Sequence, residues 1–181
     1  MSEKVLIKQC SPTFAGIKTG SLFNIGFENK AEFLKNIREF NKKFVKRGIR
    51  TIPVKVGVSS ALIYLYRPEH LSEDLMQEEA RKLLFEKSYP ISSADFCVAE
   101  LAKRLKSCKK FPHEIGLFLG YPPEDVKGFI ENNAKNAKTV GVWKVYGDAE
   151  KAKERFDSYK RCTWQYLEAF NNKCSLESLI V

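Results

Sequence analysis

TIPVKVGVSSALIYLYRP, residues 51–68, decides the fold class. Two runs rich in β-branched and aromatic residues, TIPVKV and ALIYLYR, are separated by GVSS, the pattern of two strands joined as a hairpin. Pro53 cannot donate to a strand ladder, so its strand belongs at a sheet edge or starts late. A hairpin inside a chain otherwise dominated by helical spacing argues for mixed structure.

Working upstream, Asn29 with Glu32 reads as an N-cap and its reciprocal partner, and Phe33, Leu34, Ile37, Phe40, Phe44 and Val45 repeat at helical spacing until Gly48. This predicts a helix over 30–47. Residues 1–27 mix short apolar runs with Pro12, Gly16, Gly20 and Gly26, which predicts turns followed by a short strand near SLFNIGF, and no long helix. Downstream of Pro68, Leu71, Leu75, Ala80, Leu83 and Leu84 mark a helix ending before Pro90. Ser92 or Ser93 caps the next, with Cys97, Leu101, Leu105 and Cys108 on one stripe and Lys103, Arg104, Lys106, Lys109 and Lys110 elsewhere.

Pro112 and Gly120 bracket a short helix, and Pro123 starts another carrying Val126, Phe129 and Ile130. ENNAKNAKT is a polar connection, VGVWKVYG alternates like a half-buried strand, and Asp148 caps a long last helix through Phe156, Tyr159, Tyr166, Leu167 and Phe170. Residues 171–181 follow a polar break and read as a loose tail. The expected fold is α+β: a small, mainly antiparallel sheet of about four strands covered by about six helices, in a single domain spanning 1–181.

A length of 181 residues with 44% apolar content supports one core. No window approaches the roughly 18 apolar residues of a membrane span, and MSEKVLIKQC lacks a secretory apolar region, so a cytoplasmic location is expected. Cys10, Cys97, Cys108, Cys162 and Cys174 form an odd set without a CxxC pair, which fits reduced thiols and argues against a disulfide frame or a structural zinc site. The net charge of +9 predicts attraction to polyanions without naming one.

CSPTFAGIKTGSLF, FPHEIGLFLGYPPEDVKGFI and VGVWKVYGD together resemble an uncharacterised bacterial family catalogued as domain of unknown function 3793. The resemblance covers nearly the whole chain. It implies a cytosolic protein of anaerobic bacteria and brings no catalytic residue with it.

Three residues are the candidate catalytic group. Cys10 precedes Ser11 and Pro12 at an expected turn near Lys18, where a helix N-terminus or a cation would lower its pKa. His113, with Glu114 beside it, is the candidate acid or base toward Cys10 or a substrate. No known cysteine-enzyme signature flanks Cys10. Lys18, Arg67, Lys144 and Tyr146, in or beside predicted strands, are the candidate ligand-binding set, suited to phosphate or carboxylate. The glycines nearby match neither nucleotide fingerprint, and no cofactor follows. Cysteine, histidine and acidic residues give no closed metal or haem ligand set.

The favoured expectation is a protein, enzyme or not, that binds an anionic small molecule in a pocket lined by Cys, His, Lys and Arg. The competing one is a non-catalytic basic module docking nucleic acid or an acidic protein. It rests on residues 30–50, with eight Lys or Arg against two acids, and on residues 103–110, with five against none.

Overall fold

The computed structural model describes residues 2–107 and 111–181. Cys108, Lys109 and Lys110 of the second basic run lie outside the described residues. The described chain is α+β: nine helices, a three-stranded antiparallel sheet and a two-stranded hairpin. It divides into two compact units, one made of the residues up to Glu69 together with Arg161–Val181, the other of His70–Lys160.

The first unit opens with α1 (Glu3–Phe14), where a loop was expected. Leu6, Ile7, Cys10 and Phe14 fall three or four apart and are all buried, which is the helical signal that Pro12 masks. Pro12 sits in the last turn and forfeits the one N–H bond that would reach the carbonyl of Lys8, a cost that packing of the buried stripe outweighs, and Ser11 Oγ donates back to Ile7 O. Gly16, at φ +71°, turns the chain into β1 (Gly20–Gly26).

The predicted helix over 30–47 is α2 (Lys30–Phe44) followed by a single 3-10 turn, Val45–Arg47. Asn29 Oδ1 accepts from Glu32 N at 3.0 Å, and Gly48 closes the turn at φ +69°. The hairpin is β2 (Arg50–Val56) with β3 (Ser60–Tyr66). β3 is central, and β2 is an edge strand whose register shifts between Pro53 and Lys55, as the proline requires.

One apolar core holds this unit. Phe23, Ala61, Ile63 and Leu65 from the sheet meet Leu6, Ile7, Cys10 and Phe14 of α1 and Phe33, Ile37, Phe40 and Phe44 of α2. Asn41 fastens α2 to the edge strand by two bonds: Nδ2 donates to Thr51 O at 2.7 Å, and Thr51 N donates to Oδ1 at 2.8 Å. The expectation of a loose tail fails here. Leu176 and Ile180 are buried in the same core, and Arg47 donates to the carbonyls of Glu177 and Ile180. The polar break at 171–173 hid an apolar i, i+4 pair.

In the second unit the helix expected between Pro68 and Pro90 is two helices, α3 (Pro68–Met76) and α4 (Glu78–Glu86), parted at Gln77. Next comes α5 (Ala94–Ser107), whose Phe96 N is accepted by Ser93 Oγ at 3.3 Å. Two helices follow, α6 (Ile115–Phe118) and α7 (Pro123–Glu131). Pro112 precedes α6 by a turn instead of starting it.

The stretch expected as one strand is instead a hairpin of β4 (Thr139–Val140) and β5 (Lys144–Val145). Gly141 supplies the bend, with its N–H donating to Trp143 O at 3.0 Å. Asp148 caps α8 (Ala149–Asn171) by accepting from Glu150 N and Lys151 N, both at 3.1 Å. The chain ends in α9 (Leu176–Leu179).

Candidate functional site

The seven anticipated site residues divide between the units. Cys10, Lys18 and Arg67 belong to the first, and His113, Glu114, Lys144 and Tyr146 to the second.

In the first unit, Cys10 and Lys18 are close enough to interact electrostatically, but not as an activated thiol. Cys10 is 0% exposed, on the inner face of α1. Loss of hydration pushes its thiol well above the ordinary range, outweighing the charge of Lys18 and the hydrogen bond with Ser21. The expected lowering is thus reversed, because the thiol lies in a helix's buried stripe and not at a helix N-terminus. Desolvation also lowers Lys18 to about 8, with Cys10 opposing. Arg67 Nε donates to Thr13 O at 2.7 Å and Nη2 to Phe14 O at 2.6 Å. These are terminal carbonyls of α1, so this guanidinium closes a helix end.

In the second unit Glu114 is buried and its Oε1 is engaged twice. It accepts from Tyr89 OH at 3.0 Å and from Arg104 Nη1 at 3.3 Å, while the Arg104 guanidinium stacks 4.0 Å from the Tyr89 ring centre and also holds Glu100 at 2.8 Å. Such a carboxylate orients α5 against the α6 segment. Lys144 Nζ donates to Ala134 O at 2.7 Å and Tyr146 OH to Lys135 O at 3.0 Å. Both tie down the connection at 133–136, where Asn133, Ala134 and Asn136 take left-handed φ.

The organising residue is one that the sequence reading passed over. Asp125, in the first turn of α7, is 3% exposed. Its Oδ1 accepts from Tyr146 N and Gly147 N, both at 2.7 Å, and its Oδ2 from Trp143 Nε1 at 2.7 Å. A buried carboxylate with three charge-assisted bonds fixes the β5 segment and the indole together. Around it, Trp143 stacks on Tyr121 at 4.7 Å and meets the edge of Phe156 at 4.5 Å. The backbone approaches closely too: a Cβ on Gly141 would stand 2.2 Å from the Phe156 ring, and one on Gly128 2.5 Å from Tyr146.

Two clefts border this cluster and share Tyr121 and Asp125. The first, about 350 Å³, is mainly apolar, with Phe111, Phe129, Val142 and Trp143 in its wall. His113 and Lys144 are its basic groups. The His113 ring lies 5.1 Å from that of Phe129. The second, about 280 Å³, is polar, with Asp74, Glu124 and Asp148 facing Lys151 and Arg155. Burial pushes Tyr121, between the two, up to about 12, so it stands there as a neutral phenol. The sequence carried one signal for this arrangement, a tryptophan on a half-buried strand whose N–H needs an acceptor, but Asp148 and Glu131 lie nearer in the chain than Asp125, so spacing alone did not pick out the partner.

Among known families, the one described as Protein of unknown function (DUF3793) matches residues 6–180. The chain belongs to that family. No curated protein and no solved structure matches. Two of the three stretches that carry the family resemblance, FPHEIGLFLGYPPEDVKGFI and VGVWKVYGD, supply most of the wall of the apolar cleft and the Asp125 cluster behind it. No helix among the described residues is long and apolar enough to cross a membrane, and none of their His, Cys, Asp and Glu side chains gather into a metal-binding group.

Proposed function

We propose that this DUF3793 chain binds a small molecule with a flat apolar body and an anionic group in the cleft beside Trp143. The observation that carries the reading is that His113 and Lys144, picked out separately in the sequence, line one cleft whose other walls are aromatic and aliphatic. A mainly apolar concavity of this size with a few polar groups is the usual form of a ligand site. The rings of Phe111 and Phe129 offer stacking surfaces beside the buried Trp143, and Lys144, with one ammonium proton given to Ala134 O, keeps others for a carboxylate, sulfonate or phosphate. Binding is favoured over nucleophilic catalysis because the Cys10 thiol is buried and held protonated, and Glu114 is committed to Tyr89 and Arg104.

The test uses 8-anilinonaphthalene-1-sulfonate, an aromatic anion that fluoresces in apolar surroundings. One equivalent is expected to bind per folded chain and to quench Trp143 in a Trp164→Phe background, Trp164 being exposed. Val142→Asp should abolish binding, and His113→Ala with Lys144→Met should weaken it by roughly 10- to 100-fold, the worth of one or two charge-assisted bonds. Dye binding that these variants leave unchanged would dismiss the cleft as the site.

A further inference from the structure

We propose that the solvent face of α2 is a docking surface for the sugar-phosphate backbone of double-helical nucleic acid. This is independent of the small-molecule cleft, which lies in the other unit.

The net charge is not spread over the chain. The first unit contains fifteen Lys and Arg against seven Asp and Glu, and the second sixteen against fifteen, so almost the whole excess sits in the first. Within it, α2 buries Phe33, Ile37, Phe40 and Phe44. The opposite side of the same helix and its 3-10 extension presents Lys35, Arg38, Lys42 and Lys46, all exposed, at steps of three or four residues. Such steps place one cation per helical turn, about 5.4 Å apart along the axis. Among the described residues, only Lys42 of the four has an ion-pair partner, the exposed Glu39 at 3.0 Å, a contact that contributes little in water.

The chemistry of the ridge discriminates among polyanions. A protein partner would need a central apolar or aromatic anchor, but Val45 is the one large apolar side chain exposed on α2 and its extension among the described residues. A single strand would need aromatic platforms for its bases, and every aromatic of α2 faces the core. What remains is a row of flexible point charges, mostly lysines, which suits a regular phosphate backbone with its bases turned inward. Neutralising about four phosphates predicts a log–log salt slope near −3.6, hence a loss of roughly 100-fold in affinity between 50 and 200 mM salt.

The experiment is fluorescence anisotropy of the full chain with a fluorescein-labelled 20-base-pair duplex, in two unrelated sequences. Both duplexes should bind alike and follow that salt slope. The variant K35Q/R38Q/K42Q/K46Q should lose binding while keeping its circular dichroism melt, because all four side chains are exposed. A control with four exposed lysines changed in the other unit, K82Q/K127Q/K153Q/K160Q, should bind as the parent does. The proposal is overturned by no anisotropy change at 50 mM salt, by equal loss in the control, or by polyglutamate or single-stranded DNA competing as well as unlabelled duplex.

Discussion

Asp125 and Lys18 show how burial turns ordinary side chains into structural decisions. Removing the Asp125 carboxylate leaves three N–H donors, those of Tyr146, Gly147 and Trp143, without their acceptor. Asp125→Ala should therefore cost about 4 kcal/mol in urea denaturation, and Asp125→Asn, which keeps one oxygen, about half as much. Lys18 makes a pH prediction. Its folded value of about 8 lies below the ordinary 10.5, so between those values the unfolded chain holds more protons and stability rises with pH. Relative to Lys18→Met, the parent should gain about 1 kcal/mol from pH 7 to pH 9, followed as urea midpoints, with the penalty fully present below pH 8. The sequence located these groups unevenly. Lys18 near Cys10 was legible because they lie within one short stretch. Asp125 was not, because an acid in a helix's first turn usually serves only the helix dipole.

Whole elements were legible where one signal dominated. α2 has a cap, a stripe and a glycine stop that all agree, and the 51–68 hairpin has its proline at an edge. α1 was hidden because Pro12 spoke for a turn while the apolar spacing spoke for a helix, and packing on the sheet favoured the spacing. VGVWKVYG was read as straight because alternation cannot show where a strand folds back; the Gly141 bend is set by the Phe156 ring pressed against it. Two substitutions probe these elements. Asn41→Ala removes both bonds to Thr51 and should cost about 2 kcal/mol in urea denaturation. Gly141→Ala should lower stability by about 1–3 kcal/mol and shift Trp143 emission, since a methyl there meets the Phe156 ring.

For the molecule as a whole, the four described cysteines give a map of opening. Cys174 is exposed and Cys10, Cys97 and Cys162 are buried, so a thiol reagent should label Cys174 at once and the others only as structure opens. Both passages of the chain between units fall inside helices, α3 at 69–70 and α8 at 160–161, where a domain boundary would usually use a loop. We therefore expect Cys10 of the first unit and Cys97 of the second to become reactive at the same urea concentration. Labelling of one well before the other would mark two separately folding domains. The edge strand has a consequence for crowded solutions. An unpaired strand border is a template on which a second chain can add itself, the first step of aggregation. β2 escapes this through Pro53, which offers no N–H, and through the shifted register beside it, with Arg50 and Lys55 exposed along the same strand. Replacing Pro53 by threonine would restore the donor and straighten that border, so the variant should form thioflavin-positive assemblies under conditions in which the parent stays clear.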